Sequence, residues 1–438
     1  MSARPPGGGL LRRSRDFRLL WCGETTGKFG DAVATVAMPL IAVGTLHAST
    51  FRVSLLSAAI WLAWLLIGLP VGVWVDRWRR RPVMLAAAAV STALFAAVPV
   101  ARWTGCLDYP VLLGVALATG VAAVFFQTAY AAYLPGLVAP EDRAEGNAKL
   151  NGSASAAQIA GTGAGGLIAQ VAGAVGGMLA NSATFAVSLV CLTAIRHREP
   201  RADRAVVRRA RGGMAKEIAE GLRVLAADPW LRTGTLFGAV ANLVLTASNS
   251  IDVVFLVRVV GLSPGTVGLL FAAGGTGGVA GALITRRISE RIGTARAFTL
   301  MSTVLLAFDL LIPLTGRGAG TAFFVVGAFC LETGVVAGNV IWATFRQHRC
   351  PPELYGRLIA GSSFVNYGLM PLGAVLGGTL ATVLGLRTTM WVSAAILPLA
   401  GLALLLTPVG RARDLPTDPI ALPTADVTRP TTPAASAA

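Results

Sequence analysis

Three charged residues near the start of the chain, Glu24, Lys28 and Asp31, are separated by four and then three residues, so on a helix they lie along one face. Their setting, LLWCGETTGKFGDAVATVAMPLIAV from Leu19 to Val43, has the length of a membrane-crossing segment and an apolar second half. Charge inside a bilayer is expensive, so such a stripe must face a bundle interior or a water-filled space. Two carboxylates and one ammonium leave a single net negative charge when all are ionised, which one proton or one cationic ligand would neutralise. The same stripe also suits a structural role, as an ion-pair cluster that fixes the helix. Both roles stay open at this level.

Other polar groups interrupt later apolar runs. Asn151, Ser155, Gln158 and Thr162 share one helical face, Asn242, Asn249 and Asp252 another, and Glu332 with Asn339 a third. With Gln127, Asn366 and the rings of Trp61, Trp64 and Phe126, they are candidates to line a cavity for a flat, partly apolar molecule, although each amide or hydroxyl also suits interhelical hydrogen bonding and each ring suits packing. Asp252 and Glu332 join the first stripe as candidates for proton or substrate coupling, because a carboxylate is the costlier group to bury. Asp309 falls near the outer end of a run expected at the periphery, which predicts interfacial exposure.

Of 438 residues, 54% are hydrophobic and 13% charged, and the mean hydropathy of +0.67 places the chain among integral membrane proteins. About twelve apolar runs have crossing length. Six are Leu19–Thr45, Val53–Val75, Val83–Ala101, Pro110–Tyr133, Asn147–Ala172 and Val175–Ile195; six more are Leu231–Val257, Pro264–Ile284, Ala297–Thr315, Thr321–Phe345, Leu358–Val383 and Thr388–Leu406. The fold class is therefore an all-α polytopic membrane protein with both termini on one side. The first run is long, charged and not followed by a small-residue cleavage site, unlike a signal peptide. Of the 37 Lys and Arg residues, about 31 fall on the side of the termini, against Arg52, Arg102, Arg258, Arg317 and Arg387 on the other and Lys28 within a run. That asymmetry predicts cytoplasmic termini in a plasma (inner) membrane, with the net charge of +16 meeting anionic lipid rather than nucleic acid. Cys22, Cys106, Cys191, Cys330 and Cys350 show no disulfide framework or ligand spacing, His47, His197 and His348 form no catalytic cluster, and there is no P-loop. No enzyme, metal, cofactor or ATPase partner is expected.

The chain divides into an N-terminal segment (1–16), a six-helix bundle (17–195), a linker (196–230), a second bundle (231–407) and a Pro-, Thr- and Ala-rich tail (408–438) expected to be disordered. Within the linker, the basic run Ile195–Gly213 precedes MAKEIAEGLRVLAADPWLR, which reads as an amphipathic surface helix. The bundles are copies. APEDRAEGNAKLNGSASAAQIAGTGAGGLIAQVAG aligns without a gap to PPELYGRLIAGSSFVNYGLMPLGAVLGGTLATVLG, pairing Glu141 with Glu353, Gly161 with Gly373, Gly165 and Gly166 with Gly377 and Gly378, and Gly173 with Gly385, each pair 212 residues apart (353 − 141). Glycines four residues apart allow close helix approach.

The second run ends in GVWVDRWRRRPVM, Gly72 to Met84, a very short basic loop with a degraded counterpart, GALITRRISERIG, in which Thr285 replaces Asp76. With six plus six runs and the GTGAGG and LGAVLGG segments, the chain resembles the major facilitator superfamily over nearly its whole length. RDFRLLWCGETTGKFGD and LYGRLIAGSSFVNYGLMPLGAVLGG are most similar to its twelve-span drug:proton antiporters of the macrolide-efflux and siderophore-exporter type. The resemblance implies alternating access and export of a hydrophobic or amphipathic small molecule in exchange for protons, or else of a dedicated metabolite such as a siderophore. It also implies that Gly72 and Asp76 contact the start of the eleventh helix near Arg357 and Leu358, with Arg77, Arg80 and Arg81 as partner charges or lipid anchors. Two features depart from the family pattern: Val111–Gln127 holds no charged residue where many antiporters carry an arginine, and Thr162 occupies a usual proline position.

Overall fold

The structure, a computed structural model, describes residues 9–197 and 214–420, in which every regular element is helical. The side chain of Asp76, most of the basic linker and residues 421–438 lie outside the described set. The first four spans are Arg15–Thr45, Thr50–Arg77, Arg80–Trp103 and Tyr109–Leu137. Polar caps fix where several spans begin: Ser14 accepts from the Phe17 amide, Ser49 from Arg52 and Asp108 from Val111, each satisfying a donor that the first helical turn leaves free.

Arg143–Ala194 forms 52 residues of nearly unbroken helix, roughly 78 Å at 1.5 Å per residue and too long for one crossing. Gly173 breaks it with φ 75° and ψ 160°, a conformation that favours glycine. Contacts with the first span show that the chain reverses there. Thr25 bonds Ser153, and Cβ atoms built on Gly161 and Gly165 would strike Phe29 and Val33, so residues 143–172 run parallel to the first span. Gly23 meets Cys191, Gly30 meets Asn181 and Thr184, and Gly177 meets Ala37, so residues 174–194 run back. Among the described residues, eleven long apolar helices therefore make twelve crossings.

The remaining spans are Pro229–Val260, Pro264–Ile292, Thr294–Leu314, Thr321–Arg349, Pro352–Leu384 and Leu386–Leu404, numbered seventh to twelfth. The repeated glycines do the same work in both halves. Gly161 and Gly165 seat the fifth span on the first, Gly373 and Gly377 seat the eleventh on Leu243 and Ala247 of the seventh, and Gly385, like Gly173, turns the chain with positive φ. Gly166 packs against Pro264 and Gly268, and Gly378 against Ser54 and Phe51, so this pair joins one half to the other.

The first and last described residues share one face, termed here the terminal face. There the Leu10 amide donates to Glu145 at 2.8 Å and Arg13 pairs with Asp142 at 2.9 Å. The amphipathic helix Met214–Ala227 lays Leu222, Val224 and Leu225 into a cluster with Leu358, Trp342 and Phe345, and Glu220 pairs with Arg357 at 2.7 Å. These three apolar side chains pack on protein. The tail departs from expectation over residues 408–420: Val409 and Leu415 are buried, the Ile420 amide donates to the Arg349 carbonyl, Arg349 donates to the Asp418 carbonyl, and Asp414 accepts from the Thr294 amide. Specific backbone pairing, invisible to composition, orders this stretch.

A substitution pair tests the glycine seats. A Cβ on Gly161 would lie 2.5 Å from the Phe29 carbonyl oxygen, whereas one on Gly114 meets nothing within 4 Å. Gly161→Ala is expected to destabilise by about 1–3 kcal/mol. Gly114→Ala should be neutral or stabilising by up to about 1 kcal/mol. Thermal unfolding of both purified variants checks this; equal shifts would remove the close-packing argument.

Candidate functional site

The first span carries its polar stripe between the fourth and fifth spans. Glu24 is 7% exposed and lies 3.7 Å from Lys28 Nζ, with Gln127 and Tyr130 of the fourth span within electrostatic range. Asp31 differs. Among the described residues no Lys, Arg or His nitrogen comes within 4.0 Å of it, and Lys28 acts on it only at longer range. Its side chain is solvent-exposed. The stripe thus resolves into one ion pair, Glu24 with Lys28, and one carboxylate without a salt-bridge partner.

The second half faces the first with a different network. Asn242 donates to Asn366 Oδ1 at 2.8 Å, Asn366 donates to the Ser362 carbonyl at 2.8 Å, and Arg346 donates to Ser362 Oγ at 3.2 Å while its Nε is buried without a partner. Glu332 and Asn339 are exposed on one strip of the tenth span, apart from the Phe329 and Thr333 backbone that packs on the eighth. Asn249, Asn151, Ser155 and Gln158 are also exposed or half-exposed. Thr162 bonds the Gln158 and Ile159 carbonyls of its own helix, so its hydroxyl is occupied locally.

Aromatic rings connect the halves. Trp61 stacks on Tyr367 at 6.1 Å with an interplanar angle of 16°, and Trp64 approaches the same ring at 5.5 Å. Tyr367 remains 37% exposed, so a face is free beside the Asn242–Asn366 bond. Phe126 instead stacks on Tyr130, next to Glu24.

Two acidic residues fall elsewhere than the sequence suggests. Asp252 is buried inside the second half and does not reach the shared space. Asp309, expected at the interface, is buried as well, because the ninth span tightens into a 3₁₀ segment, Phe308–Leu314, that packs against the tenth and twelfth. Neither Arg346 nor Tyr367 stands out in sequence: Arg346 sits just past an apolar run and reads as a loop cation, and Tyr367 reads as ordinary packing.

The short loop after the second span is not engaged at Gly72, where a Cβ would meet nothing within 4 Å. Arg77 is exposed, Arg80 is half-buried, and Arg81 donates to the Leu192 and Thr193 carbonyls, capping the end of the sixth span. Gly152 and Gly356, also toward the terminal face, have equally open surroundings. The close approaches between halves lie at the opposite, far face: Gly166 on Gly268, Gly378 on Ser54, Arg258 donating to the Ala48 carbonyl at 2.6 Å, and Gln170 accepting from the Gly265 amide at 3.0 Å.

Two repeated six-helix halves that approach each other closely at the far face, with apolar spans of membrane-crossing length, define a polytopic membrane transporter. The chain belongs to the Major Facilitator Superfamily, whose profile matches residues 20–371 and again 253–435. It is 28% identical over 416 residues to the multidrug efflux pump Tap of Mycobacterium tuberculosis, covering 92% of this chain and 94% of that one, and 26% identical to Tap of Mycolicibacterium fortuitum, covering 92% and 97%. Among solved structures the nucleoside transporter NupG superposes with a TM-score of 0.69 at 12% identity, covering 91% and 99% of the two chains. A bacterial homologue of the iron transporter ferroportin in an inward-facing state superposes at 0.70 and 16%, covering 91% and 99%. At those identities the likeness is one of fold.

The far-face contacts can be tested directly. Gly166→Val would add atoms against the backbone of Pro264 and Gly268 across the halves, so it should open the far face. In a background without native cysteines, a cysteine at Thr35, which is exposed in the shared space, should label faster from the far side in Gly166→Val than in the parent. Unchanged labelling would contradict a closure made by this contact.

Proposed function

We propose that the protein exports amphipathic small molecules, with a preference for cations, in exchange for protons by alternating access, with both termini cytoplasmic. The observation that carries the reading is Asp31, an exposed carboxylate on the polar stripe that has no basic nitrogen within 4.0 Å among the described residues. Glu24 has its counter-charge in Lys28, so the stripe has one negative charge left to be neutralised. A proton and a cationic substrate would compete for that charge, and mutually exclusive occupancy is the condition for exchange. The stacked Trp61, Trp64 and Tyr367 supply apolar faces for the rest of such a molecule. The efflux named for the mycobacterial relatives supports the direction of transport.

In this cycle the terminal face, open here, is the cytoplasmic entrance. Closing it would bring Gly72 and Asp76 of the second span toward the start of the eleventh, where Arg357 is presently held by Glu220. The remaining exposed arginines of the loop suit anionic lipid headgroups.

Transport into inside-out vesicles tests the reading. An amphipathic cation should accumulate only with an inwardly acidic gradient. Asp31→Asn should lower the initial rate roughly tenfold, the scale of about 1.4 kcal/mol of lost interaction. It should also flatten the pH dependence. Equal accumulation without a gradient, or a parental pH profile in Asp31→Asn at matched expression, would remove proton exchange from the mechanism.

A further inference from the structure

The tenth span carries a polar strip of its own. Glu332, Asn339 and Arg346 follow one another at intervals of seven residues, so they share a helical face, and the first and last lie about 21 Å apart along the axis. Arg346 ends the strip toward the terminal face and is half-buried. Among the described residues its guanidinium makes one hydrogen bond, from Nη1 to Ser362 Oγ at 3.2 Å, and Nε is buried without an acceptor. No carboxylate oxygen of the described residues comes within 4.0 Å of it. Neighbouring arginines are committed instead. Three residues on, Arg349 sets Nε and Nη2 on Asp228 Oδ2 at 3.0 and 2.7 Å and gives Nη1 to the Asp418 carbonyl, while Arg357 pairs with Glu220 at 2.7 Å. A buried cationic donor without an acceptor is costly. In Arg346 the edge left over, Nε with Nη2, is the one that takes a carboxylate or phosphate side-on.

The surroundings point this edge to a ligand. Ser362 Oγ also accepts from Asn366 Nδ2 at 3.4 Å, Asn366 Oδ1 accepts from Asn242 at 2.8 Å, and Tyr367, next in the chain, meets Trp61 and Trp64 of the first half. The guanidinium thus belongs to a network whose other end adjoins the aromatic contact between the halves. The repeat shows that this network is not common scaffold. Ser362, Asn366 and Tyr367 align with Leu150, Ala154 and Ser155, and the same offset of 212 residues carries Arg346 back to Leu134 (346 − 212). The first half holds the same fold without an arginine, a serine or an amide at these places, so packing alone does not call for them.

We infer that the Nε edge of Arg346 is an anion-binding subsite of the second half, which takes a carboxylate of an aromatic, amphipathic molecule whose ring reaches the exposed face of Tyr367, about 7.5 Å along the eleventh span from Ser362. The subsite rests on the export reading for its ligand being a transported molecule, and it extends the substrate class from cations to zwitterions.

Rhodamine B, a flat zwitterion with a free carboxylate, and its ethyl ester, which keeps the cationic rings but not the carboxylate, are the probes. Fluorescence anisotropy with the purified full chain gives a dissociation constant for each dye, and the ratio of ester to acid reports the carboxylate alone. In Arg346→Gln that ratio should fall about tenfold, the scale of a lost charge-assisted hydrogen bond. Arg346→Lys, which keeps the charge but not the fork, should lower it severalfold, and this keeps the test available if the glutamine variant does not fold. A purely structural arginine would weaken both dyes alike, so an unchanged ratio in either folded variant overturns the subsite, as does a parent that binds neither dye. Asp31→Asn should weaken both dyes at the parental ratio. Dye binding indifferent to Asp31→Asn, with a ratio that falls in the Arg346 variants, would sink the Asp31 reading and leave the subsite standing. Displacement of the acid by phosphatidylglycerol in the parent but not in Arg346→Gln would assign the edge to a lipid phosphate and overturn the carboxylate assignment.

Discussion

An ionised carboxylate deep in a membrane protein needs a cation, a proton or water beside it. The first span carries two such carboxylates and one ammonium, and the structure gives the ammonium to Glu24. Asp31 is left to the space between the halves. Much of the rest of the arrangement can be read from that imbalance: Gln127 placed near Glu24, the polar strip of Glu332 and Asn339, and the aromatic surface of Trp61, Trp64 and Tyr367. The site is one residual charge within a space that is otherwise amide-lined and aromatic, a composition suited to recognising charge and apolar bulk rather than a fixed pattern of hydrogen bonds.

The scaffold that holds this charge is made of glycines used twice. Gly161 and Gly165, with Gly373 and Gly377, lock two helices within each half, where side chains would strike backbone. Gly166 and Gly378, one residue further along, bring backbones together across the halves at the far face. Neighbouring positions therefore serve different ends: one pair makes each half a firm unit, and the next lets the units meet closely. Rigid halves with a separable contact are what rocking about a central site requires.

The spans, their number and the repeat were legible because membrane thickness fixes helix length and because paired glycines 212 residues apart leave a direct trace in sequence. The stripe was legible as three residues on one face, but not its pairing, which depends on the spans around it. Asp309 was misplaced for a related reason. Lipid and protein interior are both apolar, so hydrophobic periodicity says little about which face of a span is buried, and the 3₁₀ tightening around Asp309 has no strong sequence signal. Arg346 escaped notice at the boundary of a run, where a cation usually marks the membrane surface; its bond to Ser362 exists only because the tenth and eleventh spans meet there. The docked residues 408–420 were hidden by a composition typical of disorder, since their order comes from individual bonds such as Ile420 to Arg349.

At the centre of the proposed mechanism, Asp31 would hold either a proton or the positive end of a substrate. Counting protons released when a saturating amphipathic cation binds the purified protein in weakly buffered detergent solution tests this without any membrane or gradient. Release of about one proton per bound cation is predicted over the pH range in which Asp31 is protonated in the empty protein, and none in Asp31→Asn at comparable occupancy. Binding without proton release in the parent across that range, or equal release in Asp31→Asn, would contradict it.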